Sequence, residues 1–225
     1  MRTTAHSRAV AALLLAGAAL LTAAGCNIVV PIAYAIEGPP STEAAYTLPQ
    51  KKAVVFVDDT KNQLPRTSLR TRIGDKVAAD LMAKGMLTQV IASREAMQIA
   101  RRKDTDSNKI GIGTVGQEVG AELVIYVKIT GFFITPDGYT NKPEASAEVK
   151  VVDVGASRRV FPEEGTTEDG FPVNATTREV DNELYKSSSG RRKIEDSLAD
   201  VLADKVAKTF YKHETKELGA PLGVR

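Results

Sequence analysis

The chain has 225 residues, 43% of them hydrophobic, and a formal net charge of +2 at pH 7. A single cysteine excludes an intrachain disulfide framework, and with only two histidines beside it the chain has too few ligands for a structural zinc site. The small net charge gives no support for nucleic-acid binding.

The N-terminal residues predict a secretion signal. Arg2 and Arg8 flank a short polar start and are followed by an apolar run that ends at Ala24. This run is shorter than the about 20 residues of a spanning helix but typical of a signal peptide. The sequence L-T-A-A-G-C, which ends at Cys26, resembles the lipobox of bacterial lipoproteins. The resemblance implies that residues 1–25 are removed and that acyl chains on Cys26 anchor the chain in a membrane.

Cleavage before Cys26 also changes the charge balance. The removed segment contains two of the 30 basic residues and no acidic residue, so the mature chain carries 28 residues of each sign. We therefore expect the membrane lipid, and no nucleic acid, among the partners of this chain.

Residues 26–50 predict a membrane-proximal segment followed by a linker. The ten residues N-I-V-V-P-I-A-Y-A-I after the cysteine are apolar but too short to span a bilayer. Three prolines and no hydrophobic periodicity follow over residues 37–50, which is typical of a semi-rigid linker.

Residues 51–213 predict one folded domain, and we expect residues 214–225 to form a flexible tail. A buried strand is expected at 53–57, a helix at 68–84, a strand at 87–91 and a helix at 93–103. A helical turn at 115–119, strands at 122–135, 145–154 and 158–161, and a helix at 191–213 follow, while 162–190 shows no clear pattern. The main order β-α-β-α-α-β-β-α predicts a single-domain α/β fold with a mixed sheet and a long antiparallel hairpin.

The sequence G-I-G-T-V-G at 111–116 has the glycine spacing of a dinucleotide-binding motif. That motif requires a strand directly before it and a long helix after it. Here a charged helix end and loop precede the glycines, and the next strand begins at about Glu122. The glycines therefore predict a tight loop and close helix–sheet packing, with no cofactor.

Three arginines, Arg66, Arg70 and Arg72, surround the start of the first predicted helix. Positive charge is unfavourable at a helix N-terminus, so this cluster predicts an anionic partner. Two hypotheses follow: the partner is Asp58 or Asp59 within the chain, or it is an external phosphate or lipid headgroup.

No catalytic residue or metal site is indicated by the sequence. The serine run 187–189 has no nearby histidine that could activate a hydroxyl group. Without a nucleophile–base pair or a metal-ligand cluster, we expect a protein that is not an enzyme.

Four stretches resemble the CsgG-like family, whose relatives include the curli secretion channel lipoprotein, the lipoprotein activators of peptidoglycan synthases and the N-terminal domain of TolB. They are K-A-V-V-F-V-D-D at 52–59, V-G-Q-E-V-G-A-E-L-V-I-Y-V-K-I at 115–129, A-E-V-K-V-V-D-V at 147–154 and the terminal helix at 191–213. The apolar stretch and G-P-P linker after Cys26 also resemble small lipoproteins of planctomycete-type bacteria.

The resemblance implies a lipid-anchored envelope protein that faces the periplasm from the cell membrane or outer membrane. We expect a non-catalytic binding or assembly module that contacts another envelope protein. The alternatives are an oligomeric secretion-channel component, which would make the chain a homo-oligomer, and a protein that binds anions or lipid headgroups.

Overall fold

The computed structural model describes residues 40–105, 109–135, 139–163, 165–166 and 169–215. These residues belong to two units, one of which is residues 43–212. In the other unit, strand β1 (Ser41–Thr42) pairs antiparallel with strand β8 (His213–Glu214).

The described part of residues 43–212 contains a mixed sheet of six strands and five helices that pack on it. The strands are β2 (Lys52–Asp58), β3 (Gln89–Ile91), β4 (Leu123–Phe133), β5 (Glu144–Asp153), β6 (Arg158–Phe161) and β7 (Phe171–Thr176). The helices are α1 (Ser68–Ala83), α2 (Ser93–Lys103), α3 (Ile112–Val119), α4 (Asn182–Lys186) and α5 (Ser188–Lys208).

Strand β2 lies between β3 and β4 and runs parallel to both, whereas β4 and β5 form a long antiparallel hairpin. The predicted α/β class, mixed sheet and hairpin are confirmed.

Two apolar clusters cover the two faces of the sheet because side chains alternate along each strand. In β2, Val55 and Val57 belong to the cluster under α1 and α5, while Val54 and Phe56 belong to the cluster under α2 and α3. A strand with apolar residues on both faces is expected when helices cover both sides of a sheet.

Apolar side chains recur at every fourth position along α1 and α5, a spacing that predicts one buried side for each helix, and all of them except Ile194 belong to the first cluster. All eight are buried: Leu69, Ile73, Val77, Leu81, Ile194, Leu198, Leu202 and Val206. The spacing places them on one side of each helix, so the two helices can bury them against the same sheet face.

The final helix was predicted over 191–213, and both of these ends are wrong. It begins earlier because Ser187 caps it, with its Oγ accepting a hydrogen bond from the Gly190 N–H at 2.9 Å. It ends at Lys208, and the carbonyl of Thr209 accepts hydrogen bonds from the N–H groups of Ala45 and Tyr46.

Residues 46–48, directly before β2, pack against the sheet and its helices. The sequence predicts that they belong to a semi-rigid linker that extends to Gln50. Leu48 is 4% exposed, and the ring of Tyr46 stacks on that of Phe161 with centroids 5.1 Å apart. Burial of these two apolar side chains stabilises the ordered conformation of the segment.

Strands β6 and β7 pair with successive parts of β5. Phe161 in β6 is opposite Val151, and Phe171 in β7 is opposite Val149. The centroids of the two phenylalanine rings are 5.3 Å apart. The chain therefore leaves the sheet at the end of β6 and re-enters it as β7 close to the same place. Strand β7 and helix α4 lie within the stretch for which the sequence indicated no pattern.

Candidate functional site

Arg66 connects the region before α1 to helix α5. Its Nε donates to Glu195 at 2.6 Å and its Nη2 to Asp196 at 2.7 Å. Hydrogen bonds to Asp196 and Glu195 raise the pKa of the Arg66 guanidinium. The partners of Arg66 are therefore carboxylates of α5, and the prediction of Asp58 or Asp59 is wrong for this arginine.

Arg72 makes a second connection of the same kind. Its Nε and Nη2 donate to the two carboxylate oxygens of Asp200, both at 2.7 Å. Its Nη1 lies 4.0 Å from a carboxylate oxygen of Asp196. This two-pronged geometry is the one in which guanidinium and carboxylate groups match best. Arg72 thus also pairs with α5 instead of the aspartates after β2.

Arg70 turns to the end of strand β2. Its Nε and Nη2 donate to the carbonyl oxygen of Val57 at 3.2 and 2.9 Å, and its Nη2 lies 3.9 Å from Asp58. Asp58 is the predicted internal partner, but a backbone carbonyl holds the arginine more closely. Each of the three arginines is engaged within the fold, and an external anion at this place stays a prediction.

Asp58 belongs to a polar network at the carboxyl end of β2. It accepts a hydrogen bond from the Tyr126 hydroxyl at 2.6 Å. Burial, followed by this hydrogen bond, raises the pKa of Tyr126. Nearby on the hairpin, Lys128 donates to Glu148 at 3.0 Å, and that bond raises the pKa of Lys128. These groups satisfy one another and stabilise the junction of β2 with the hairpin.

Asp59 has a local structural role. Its two carboxylate oxygens accept hydrogen bonds from the N–H groups of Gln63 and Leu64 at 2.7 and 3.0 Å. Asp and Asn side chains commonly stabilise turns in this way. Asp59 therefore shapes the loop between β2 and α1.

The glycine-rich stretch 111–116 provides the N-cap, Gly111, and the first five residues of α3, so the predicted tight loop is wrong. A Cβ atom on Gly116 would be 2.5 Å from Val124 Cγ2 and 2.6 Å from Val154 Cγ2. No such crowding exists at Gly113, where the nearest atom would be 4.0 Å away. The last glycine of the stretch therefore permits α3 to pack closely on the sheet.

A groove lies between residues 177–181, helix α4 and helix α5. It encloses about 480 Å³. Val180, Leu184 and Ile194 form its apolar floor, and Leu184 is 40% exposed. The sequence did not indicate this groove, because its other side, residues 177–181 and α4, lies in the stretch without a clear pattern and only the fold places it beside α5. The isolated leucine at 184 in a charged stretch is the one signal that could have indicated it.

The rim of the groove carries charged side chains. Arg178, Glu179 and Lys193 line it, and all three are exposed. Asp181 also lines it, but its carboxylate caps α4 by accepting a hydrogen bond from the Glu183 N–H at 2.7 Å. An apolar floor with a charged rim is the usual composition of a binding groove.

Cys26, the predicted lipidation site, lies outside the described residues, so its acylation stays a prediction. Among the residues that the structure describes, no helix combines the length and the apolar character needed to cross a bilayer. No cluster of three or more His, Cys, Asp or Glu side chains in this part of the chain could hold a metal ion.

The chain is thus an α/β protein whose mixed sheet carries helices on both faces and a groove beside the final helix. No protein-family model matches it, and no curated protein sequence matches it significantly. The resemblance to the CsgG-like family therefore stays a prediction.

Solved structures that resemble this chain at low sequence identity include the following three. The hypothetical protein CT253 from Chlamydia trachomatis is 14% identical; the match covers 71% of this chain and 92% of that one, with a TM-score of 0.42. Lipoprotein GNA1162 from Neisseria meningitidis is 16% identical, with 65% and 91% covered and a TM-score of 0.37. A PelC dodecamer from Paraburkholderia phytofirmans is 16% identical, with 76% and 95% covered and a TM-score of 0.41. At these values none of the three assigns a function to this chain.

Proposed function

We propose that this chain is a membrane-anchored lipoprotein of the cell envelope that acts as a non-catalytic binding or assembly module. The observation that carries the proposal is a contrast between two sets of charged residues. The arginines predicted as a site are engaged in the fold, whereas the rim of the groove between α4 and α5 carries exposed charges around an apolar floor.

The lining of the groove supports binding in preference to catalysis. Its polar side chains include the hydroxyl groups of Thr177 and Ser197, and no histidine or cysteine is among the described residues that line it. A hydroxyl nucleophile needs a neighbouring general base within hydrogen-bonding reach, but Thr177 Oγ1 donates to the carbonyl of Arg178 and the carboxylate of Asp181 is engaged as the cap of α4. We therefore infer that the groove recognises a partner and holds it without reacting with it.

The N-terminal sequence supports the anchor. Acyl chains on Cys26 would each contribute about 0.8 kcal/mol per buried methylene, so several chains hold a protein in a membrane effectively permanently. The proline-containing residues that follow would give the α/β unit reach from the inner or outer membrane into the periplasm. An envelope protein is then within reach as the partner.

Metabolic labelling with radioactive palmitate tests the anchor. Wild-type protein should incorporate the label, Cys26→Ala should not, and globomycin, which inhibits the lipoprotein signal peptidase, should cause a precursor to accumulate. Thr22→Ala is the matched control because it retains the small residues and the cysteine of the lipobox. Wild-type protein that carries no label would refute the anchored-module proposal.

A further inference from the structure

We propose that the outer edge of strand β7 pairs with the same edge of a second copy of this chain, in an antiparallel dimer whose two-fold axis passes beside Asn174. The inference rests on the proposed function in one respect, which is the membrane anchor that brings the copies together.

Strand β7 has one edge that no other described strand covers. It pairs with β5 alone, and β4 occupies the other side of β5. The N–H of Thr177 donates to the carbonyl of Pro143 at 3.0 Å, which continues the pairing with β5 by one residue. Because hydrogen-bonded and non-hydrogen-bonded pairs alternate along antiparallel strands, the N–H groups of Asn174 and Thr176 point away from β5. The carbonyls of Pro172 and Asn174 point the same way.

The composition of β7 leaves this edge open to pairing. Exposed edges are commonly short or carry charged side chains, which prevent pairing with another chain. Strand β3, at the opposite edge of the sheet, has three residues, and β6 carries Arg158 and Arg159. Strand β7 has six residues, F-P-V-N-A-T, and none of them is charged. Its proline removes one N–H group from the edge but leaves a carbonyl that can accept a hydrogen bond.

The edge of β7 is complementary to itself. With the two-fold axis beside Asn174, the N–H of Asn174 meets the carbonyl of the same residue in the second copy, and the N–H of Thr176 meets the carbonyl of Pro172. Both outward donors of each copy are thereby satisfied, and Pro172 is needed only as an acceptor. On the face that α5 covers, Val173 lies opposite Ala175 of the second copy, so the apolar layer continues across the junction.

Two properties favour a second copy over a strand from another protein. An uncharged edge places no like charges opposite each other when it meets its own copy. An anchor at Cys26 would confine all copies to one membrane and so raise their effective concentration. A six-residue edge is a small interface, and we therefore expect the pairing to depend on this confinement.

Disulfide formation in intact membranes tests the proposal, with full-length cysteine variants oxidised by copper phenanthroline and separated on non-reducing gels. Asn174→Cys should form a linked homodimer, because the Cα atoms of a hydrogen-bonded pair are about 5.5 Å apart, within reach of a disulfide. Thr176→Cys is the matched control: its two copies would lie about 14 Å apart along the strands, and its yield of dimer should be at least about tenfold lower. Thr176→Cys and Pro172→Cys, expressed together, should become linked to each other.

A charge at the edge provides a second test that needs no disulfide. Asn174→Lys places two like charges opposite each other and should abolish energy transfer between fluorescently tagged copies in the same membrane. Expression of Asn174→Lys together with Asn174→Glu should restore the transfer. Gln98→Lys, at an exposed residue of α2, is the control and should leave the transfer unchanged.

Two outcomes would overturn the proposal. Equal yields of dimer from Asn174→Cys and Thr176→Cys would indicate random collision in the membrane. A disulfide between Asn174→Cys and another envelope protein, without a homodimer, would identify a foreign strand at this edge.

Palmitate labelling separates this proposal from the anchor. A labelled protein in which Asn174→Cys forms no dimer would refute the pairing of β7 alone. An unlabelled protein that forms this dimer would refute the anchor and support the pairing.

Discussion

At the scale of single residues, the three glycines of the stretch 111–116 have different surroundings. Gly111 precedes α3, Gly113 leaves room for a Cβ atom at ordinary contact distance from Val152, and Gly116 is pressed against Val124 and Val154. In a motif that binds a pyrophosphate, glycines are needed because the ligand approaches the backbone closely. Here Gly116 is needed instead because helix α3 packs closely on the sheet.

Alanine substitutions in this stretch should therefore have opposite effects. Gly116→Ala should lower the free energy of unfolding by roughly 1–3 kcal/mol because the new methyl group overlaps two valine side chains. Gly113→Ala is the matched control, and it should be neutral or raise stability by up to about 1 kcal/mol through helix propensity. Urea unfolding followed by circular dichroism measures both, and equal effects would contradict this account.

At the scale of elements, salt bridges join the start of α1 to α5. Arg66 pairs with Glu195 and Asp196, and Arg72 pairs with Asp200, so basic residues near one helix start meet acidic residues along another helix. Glu195 is only 9% exposed, and a carboxylate at such a position requires a close partner. These pairs fix how α5 lies beside α1 on the sheet.

Removal of one of these partners should destabilise the fold. Arg66→Gln should lower the free energy of unfolding by about 1–2 kcal/mol, because Glu195 loses its cation while the partial exposure of Arg66 limits the cost. Arg94→Gln, at an exposed arginine of α2, should change it by less than about 0.5 kcal/mol. Urea unfolding at low and high salt measures both. A free energy of unfolding that is the same for wild type and Arg66→Gln at both salt concentrations would show that the pair with Glu195 contributes nothing.

At the scale of the whole molecule, contacts between distant parts of the chain hold residues 43–212 together. The Nζ of Lys51, just before β2, donates to Asp153 at the end of β5 at 2.6 Å. The Asp153 carboxylate also accepts the N–H of Ala156 at 2.9 Å. The hydrogen bond from Lys51, followed by that from Ala156, holds the pKa of Asp153 below its ordinary value.

This shift predicts a loss of stability in acid. Because the folded state lowers the pKa of Asp153, its stabilising contribution is complete above the ordinary pKa of about 3.9 and disappears as the pH falls through the lower folded value. Asp153→Asn should thus be less stable than wild type at neutral pH and should lose less stability between about pH 5 and about pH 2. Glu179→Gln, at an exposed acid, is the control, and parallel pH profiles of wild type and Asp153→Asn would contradict the assignment.

Much of the fold could be predicted from local sequence patterns. The spacing of four between Leu69, Ile73, Val77 and Leu81 is enough to indicate a helix with one buried side. The long apolar strand at 122–135 and its alternating return at 145–154 similarly indicate the hairpin. Local sequence also carries the lipobox-like pattern at Cys26, since a processing signal is recognised as a linear segment.

Only the tertiary structure decided which distant residues meet. The sequence places Arg66 close to Asp58 and Asp59, yet the fold brings it to Glu195 and Asp196, because α1 and α5 pack on the same sheet face. Strand β7 and the close approach at Gly116 likewise depend on distant partners, β5 and Val154, whereas the groove at Leu184 is built within residues 177–197. Hydrophobic periodicity states which side of an element is buried, but it holds no information about the element that covers it.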